Sequence, residues 1–136
     1  MDISLVDMRD IKRLSMGALD GVGYGSVNDP RFLIVNYRGS KKSDAPLALV
    51  GKGIIFNTGG ISLKKNTGMW AMKSDLSGAA AVAGTLYASA QRGESINLIG
   101  LMPLVENMPS QDAIRPGDVL ETMKGVNIEV INTDAE

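Results

Sequence analysis

Apolar residues recur at helical spacing near the start of the chain, where Leu5, Met8, Ile11, Leu14 and Ala18 fall three or four apart. Ser4 and Asp7 sit where their side chains can cap a first turn, so the pattern predicts a helix from Ser4 to about Leu19. Gly21, Gly23 and Gly25 interrupt it and read as a flexible connector; a dinucleotide-binding loop would follow a strand and carry a different third spacing. Four apolar stretches then predict strands: residues 32–37, 47–56 (LALVGKGIIF), 96–105 (INLIGLMPLV) and 126–131. They lack polar alternation, which predicts strands buried on both faces of a largely parallel sheet. Residues 38–46 (RGSKKSDAP) are polar and read as a hairpin or surface loop. Residues 74–91 place Leu76, Ala79, Ala80, Ala83, Tyr87 and Ala90 on one helical stripe, with Gly78 allowing close packing on the sheet. Flanked by strands, this helix makes a right-handed crossover unit. The predicted fold is α/β, a three-layer helix-sheet-helix with a mostly parallel central sheet.

Composition narrows the chemistry. At 136 residues the chain is one domain, on a prior of one per ~150 residues, and 44% hydrophobic content supplies a core. The 14 Lys and Arg nearly cancel the 15 Asp and Glu, so nucleic acid is not an expected partner. The chain contains no Cys and no His, which excludes Cys/His zinc sites, thiol nucleophiles and Ser-His-Asp triads. A cysteine-free chain fits a reducing cytoplasm. Asp2, Asp7, Arg9 and Asp10 leave no secretory apolar region, and apolar runs of about ten residues are too short to span a bilayer. Hydrolytic chemistry here must use carboxylates, lysines, hydroxyls or backbone.

In open α/β sheets ligands bind beyond the carboxyl ends of the strands. Polar residues collect there: Lys52 and Asn57-Thr58-Gly59-Gly60 in the second strand, Glu106-Asn107 after the third, and Asn132 to Glu136 after the fourth. Asp75 begins the crossover helix on the same rim. Lys52 lies between two glycines within an apolar run. Burying its ammonium is costly unless it is paired, neutral or metal-bound, and a lysine at a strand bend reaching solvent or a carboxylate fits equally well. Asp134 and Glu136, at i and i+2, share a face in extended chain and can flank a divalent cation or simply be a solvated acidic pair. Lys64 and Lys65 read as solvated loop lysines. Met69, Trp70 and Met72 read as core residues or as one wall of an apolar pocket.

Taken together, VGKGIIFNTGGISLK (residues 50–64), MKSDLSGAAAV (72–82), VENMPS (105–110), RPGDVL (115–120) and NTDAE (132–136) resemble the catalytic domain of the leucine aminopeptidase (cytosol aminopeptidase) family, in order and spacing. The resemblance implies a metal-dependent exopeptidase that releases N-terminal amino acids, leucine-type residues preferred, with two divalent ions drawn from Mn, Zn or Mg. Lys52, Asn57, Asp75, Asp134 and Glu136 match the family's metal ligands and Lys64 its catalytic lysine. Met72, Asn132 and Ala135 match positions lining the pocket for the substrate's first residue. A peptide substrate, a cytoplasmic location, no membrane association and a homo-oligomer, hexameric in the intact family, are further implied.

Two departures accompany the resemblance. Where the family carries an aspartate touching both metals, this chain carries Asn57, leaving Asp75, Asp134 and Glu136 as three carboxylates beside two dications. The family also continues past the position of Glu136 through a Gly-Arg pair and possesses a separate N-terminal domain. This chain is therefore expected to be the N-terminal part of a larger catalytic domain and inactive in isolation. A catalytically silent scaffold or oligomer subunit is the competing expectation, raised by Asn57; a phosphate- or nucleotide-binding domain would require a glycine loop that GKG inside a strand does not provide.

Overall fold

The computed structural model describes residues 1–41 and 45–136. Strands β1 (Asp2–Val6), β2 (Arg31–Arg38), β3 (Leu47–Val50), β4 (Gly53–Asn57) and β5 (Asn97–Asn107) form the central sheet. Its order is β1-β2-β5-β3, and β4 also pairs with β5. β5 is the hub, antiparallel to β2 on one side and parallel to β3 and β4 on the other. Helices α1 (Met8–Arg13), α2 (Gly17–Gly23) and α3 (Ser77–Arg92) complete the layers, with a two-stranded hairpin of β6 (Val119–Glu121) and β7 (Asn127–Glu129).

The α/β layering follows from the alternation of side chains along β5. Leu98 and Met102 pack with Val82 and Leu86 of α3 in one core cluster with Val35 and Tyr37. Val105, of opposite parity, meets α2 at Gly23. Helices thus cover both faces of β5, as its uninterrupted apolar run predicts. β3, from the other long run, is mostly exposed instead.

Several elements differ from the sequence reading. Residues 2–6 form β1 instead of a first helical turn, pairing antiparallel with β2 from Asp2↔Asn36 to Val6↔Phe32. Asp7 does cap the helix, accepting a hydrogen bond from the Asp10 backbone N–H at 3.1 Å. The helix then breaks at Ser15, whose φ of +50° leaves the helical region, before α2 resumes. Gly21 and Gly23 lie inside α2, packed where a Cβ would meet Leu120 and Pro30. Residues 126–131 do not add a strand to the central sheet. The turn closed by Thr122 and Gly125 pairs β7 locally with β6, which costs less chain entropy than a long crossover. Of residues 38–46, the first ends β2, and residues 42–44 lie outside the described part of the chain.

The predicted stripe of α3 is also turned. Ala79, Val82 and Leu86 are buried, while Ala80, Ala83 and Tyr87 face outward. In an alanine-rich helix the stripe carries little contrast, and the larger Val82 and Leu86 take the core because they remove more apolar area from water.

The run of residues 47–56 breaks at Gly51-Lys52, and the break places the site. A Cβ on Gly51 would lie 2.4 Å from the Gly78 carbonyl oxygen. This approach lets the Ala79 N–H, one of the unpaired donors at the start of α3, donate to the Lys52 carbonyl at 2.8 Å. Lys52 therefore sits between two strands rather than within one.

Candidate active site

β4 and β5 end side by side, with Asn57 opposite Asn107 in parallel register. A bulge between Ile54 and Phe56 shifts that register by one residue just before the site, as bulges next to functional sites do to re-aim a side chain. The chain then turns through Gly59 and Gly60, at φ +91° and +65°, conformations that favour glycine. Thr58 ties this turn to β5, its N–H and Oγ both donating to the Asn107 carbonyl. Across from it, the Ser62 N–H donates to Thr133 Oγ1 at 2.8 Å, and the Thr133 N–H donates to Ser62 Oγ at 3.1 Å. Thr133 Oγ1 also donates to the Gly59 carbonyl. Residues 57–64 and 132–136 are thereby joined into one rim, although some 70 positions separate them in sequence.

On that rim four predicted residues meet. Lys52 Nζ lies 3.0 Å from Asp75 Oδ2 and 2.6 Å from Glu136 Oε1. Asn57 Nδ2 donates to the same two oxygens, at 2.8 and 2.6 Å. Two donors and two acceptors thus form a closed square. The Glu136 side chain is 2% exposed and that of Lys52 is 48% exposed, so one end of the network is dry and the other wet. Burial opposes the charge on Lys52, but its hydrogen bonds to Glu136 and Asp75 prevail and hold its pKa above the ordinary lysine value. Burial likewise opposes the charge on Asp75, yet the bonds from Asn57 and Lys52 hold its pKa below the ordinary value, helped by the nearby charge of Lys64.

Lys64 Nζ is 2.6 Å from Asp134 Oδ1 and 2.8 Å from Oδ2. Asn132 Oδ1 accepts from the Asp134 N–H, and its carbonyl accepts from the Ala135 N–H, a turn that sets the direction of the acidic pair. Asn132 and Ala135 line a cavity of about 480 Å³ with aliphatic walls from Ala18, Val22, Ile114 and Leu120. Met72 is outside that cavity, in the short 3-10 helix Met69–Ser74, where its carbonyl receives the Asp75 N–H. Glu106 turns away from the rim and accepts from Ser26 Oγ and Asn28 Nδ2, anchoring the segment after α2.

Two residues that sequence reading left without a role organise the rim. Asn107, 2% exposed, donates through Nδ2 both to Asn57 Oδ1 at 3.1 Å and to the Thr133 carbonyl at 2.9 Å. Thr133, equally buried, is the junction described above. Polar residues at the ends of apolar strands were the signal for both; their partners were invisible because they lie far apart in sequence.

The donor set suits hard divalent cations in kind: Asp75, Asp134 and Glu136 offer carboxylate oxygens, and Lys52 offers an amine if it loses its proton. As arranged, the ammonium groups of Lys52 and Lys64 neutralise these carboxylates, and among the described residues no group of three or more Asp, Glu, His or Cys is disposed to hold a metal ion. Asn57 does not fit as an oxygen ligand, because its Oδ1 is turned away and accepts from the Gly59 N–H and from Asn107.

The layered α/β fold with lysines and carboxylates gathered beyond the ends of its parallel strands defines the class of the chain. A model of the catalytic domain of the cytosol aminopeptidase family matches residues 1–136, and the chain belongs to that family. It is 49% identical over all 136 residues to a probable cytosol aminopeptidase of Rhizobium rhizogenes. It is 51% identical over the same length to one of Rickettsia peacockii. In each case the chain spans 27% of the relative's length. Among the described residues no helix is long and apolar enough to cross a membrane.

Proposed function

We propose that the full-length protein to which this chain belongs is a metal-dependent aminopeptidase that releases N-terminal residues from peptides. The observation that supports this reading most directly is the gathering of Lys52, Asp75 and Glu136 beside the Lys64–Asp134 pair on one rim. Asp75, Asp134 and Glu136, with Lys52 as a neutral amine, are the residues that would hold divalent Mn, Zn or Mg. Bound there, such ions supply Lewis-acid polarisation of a scissile carbonyl and an activated water. Lys64 is proposed to donate to the oxygen that gains charge as the peptide bond is attacked, exchanging its Asp134 contact for that oxyanion. The aliphatic cavity beside Asn132 and Ala135 would take an apolar first side chain.

The test is hydrolysis of a leucyl anilide by the full-length protein, set against its N-acetylated counterpart. Turnover that requires a free α-amine, disappears on chelation and returns with Mn²⁺ supports the reading. Equal cleavage of the acetylated compound, or turnover indifferent to chelator, overturns it. No turnover of either compound with metal restored would favour a silent scaffold instead.

A further inference from the structure

We infer that Asn57 restricts this centre to one divalent ion per chain, because its amide presents hydrogens, not oxygen, to the two carboxylates where a second ion would have to bind. The inference rests on the metal-dependent reading above and sharpens it.

The orientation of the amide is fixed by groups that cannot reverse their roles. The Thr133 carbonyl can only accept, so the Asn107 group facing it at 2.9 Å must be its NH₂. That same NH₂ lies 3.1 Å from Asn57, so the Asn57 atom facing it must be the oxygen. The Gly59 N–H, which can only donate, meets that oxygen at 2.9 Å. Both restraints leave Asn57 Nδ2 directed at Asp75 Oδ2 and Glu136 Oε1. Flipping the amide would set donor against donor at Gly59 and oxygen against two carboxylates. Because Asn57 is 1% exposed, no water is at hand to relieve either conflict.

A cation placed between Asp75 Oδ2 and Glu136 Oε1 would meet amide hydrogens carrying partial positive charge. Those two oxygens already receive the Asn57 amide hydrogens and the Lys52 ammonium. The lysine can give up its proton to an incoming ion, whereas the amide cannot. Asp134 is held by the mobile ammonium of Lys64 and not by Asn57. Once that lysine turns to the substrate, as proposed above, Asp134 and the remaining carboxylate oxygens are released for one ion. An aspartate at position 57 would reverse the situation, bringing a fourth carboxylate and removing the amide donors.

The test uses the full-length protein stripped with chelator and titrated with Mn²⁺, the bound ions being counted by native mass spectrometry and calorimetry. One ion on the natural protein and two on Asn57→Asp are expected. Two ions of similar affinity on the natural protein overturn the inference while leaving the metal-dependent reading intact. No ion on either form overturns both. Thermal unfolding supplies an independent readout. Without metal, Asn57→Asp should melt below the natural protein, and the order should reverse in saturating Mn²⁺; an unchanged order in both conditions counts against the inference. Should the variant not fold, the ion count on the natural protein decides alone.

Discussion

Asn57 and Glu136, 79 positions apart, are joined by a 2.6 Å hydrogen bond in which the amide of the first donates to the carboxylate of the second. Lys52 reaches the same carboxylate oxygen at 2.6 Å. A neutral donor and a charged donor thus share one acceptor, and each supports the other by holding that oxygen in place. Several consequences can be measured on the full-length protein.

Asn107→Ala should destabilise the fold by about 1–3 kcal/mol, because it leaves the Thr133 carbonyl and one lone pair of Asn57 Oδ1 buried without a donor. Chemical denaturation measures the loss. A change below about 0.5 kcal/mol, the range of ordinary surface substitutions, would show that the rim does not depend on this residue.

Lys52→Met should reshape the pH profile of stability in metal-free protein. Asp75 has its folded pKa below the ordinary 3.8, so its contribution is present above that value and lost as pH falls through the folded pKa. Lys52 has its folded pKa above the ordinary 10.5, so its contribution is present below that value and lost as pH rises through the folded pKa. The variant should abolish the alkaline loss and shrink the acid loss. Without the ammonium the folded pKa of Asp75 moves back up toward the ordinary value, and the interval over which its contribution is lost narrows. At neutral pH the cost should be about 1–2 kcal/mol, because the half-exposed ammonium is partly screened. Unfolding curves taken across pH that superimpose on those of the natural protein would contradict this.

Gly51→Ala should be among the more damaging single-methyl additions. The added carbon would lie 2.4 Å from the Gly78 carbonyl oxygen and 2.7 Å from the Ala79 nitrogen, all backbone atoms that cannot swing aside. α3 must then move off the strand, weakening the Ala79–Lys52 hydrogen bond. A loss of roughly 1–3 kcal/mol is expected, the usual range for overpacking. Gly84→Ala, whose Cβ would meet nothing within 4 Å, should instead be neutral or stabilising in its exposed helical position. Thermal melting of the two variants side by side checks the contrast.

Lys64→Ala should lower kcat by about 10²–10³, the usual effect of removing one oxyanion donor, with a much smaller change in KM. Steady-state kinetics on a leucyl anilide measure both. A rise in KM at constant kcat would assign Lys64 to substrate binding instead of to the developing charge.

The α/β class and the part of the rim at the ends of β4 and β5 could be read from the chain alone, because both rest on local properties. Residues 132–136 reach the rim through the long-range Ser62–Thr133 bonds and not as the end of a sheet strand. Uninterrupted apolar runs with an alanine-rich segment between them require a buried sheet with a helix across it, and polar groups tolerated only at strand ends mark the rim. Local pattern also cut the chain in the wrong places. Ser4 and Leu5 fit a helix by spacing, yet pairing with β2 provides backbone partners along the whole of residues 2–6, and that long-range ladder overrides a weak local preference. At position 57 the sequence specifies an amide beside acidic residues but not which end of the amide faces them. That was settled by Gly59, Asn107 and Thr133, brought together only when β4, β5 and the last residues of the chain meet. Whether Asn57 offers oxygen or hydrogen depends on which partners surround it in space, and in a buried network every donor must find an acceptor, so tertiary structure alone decides it.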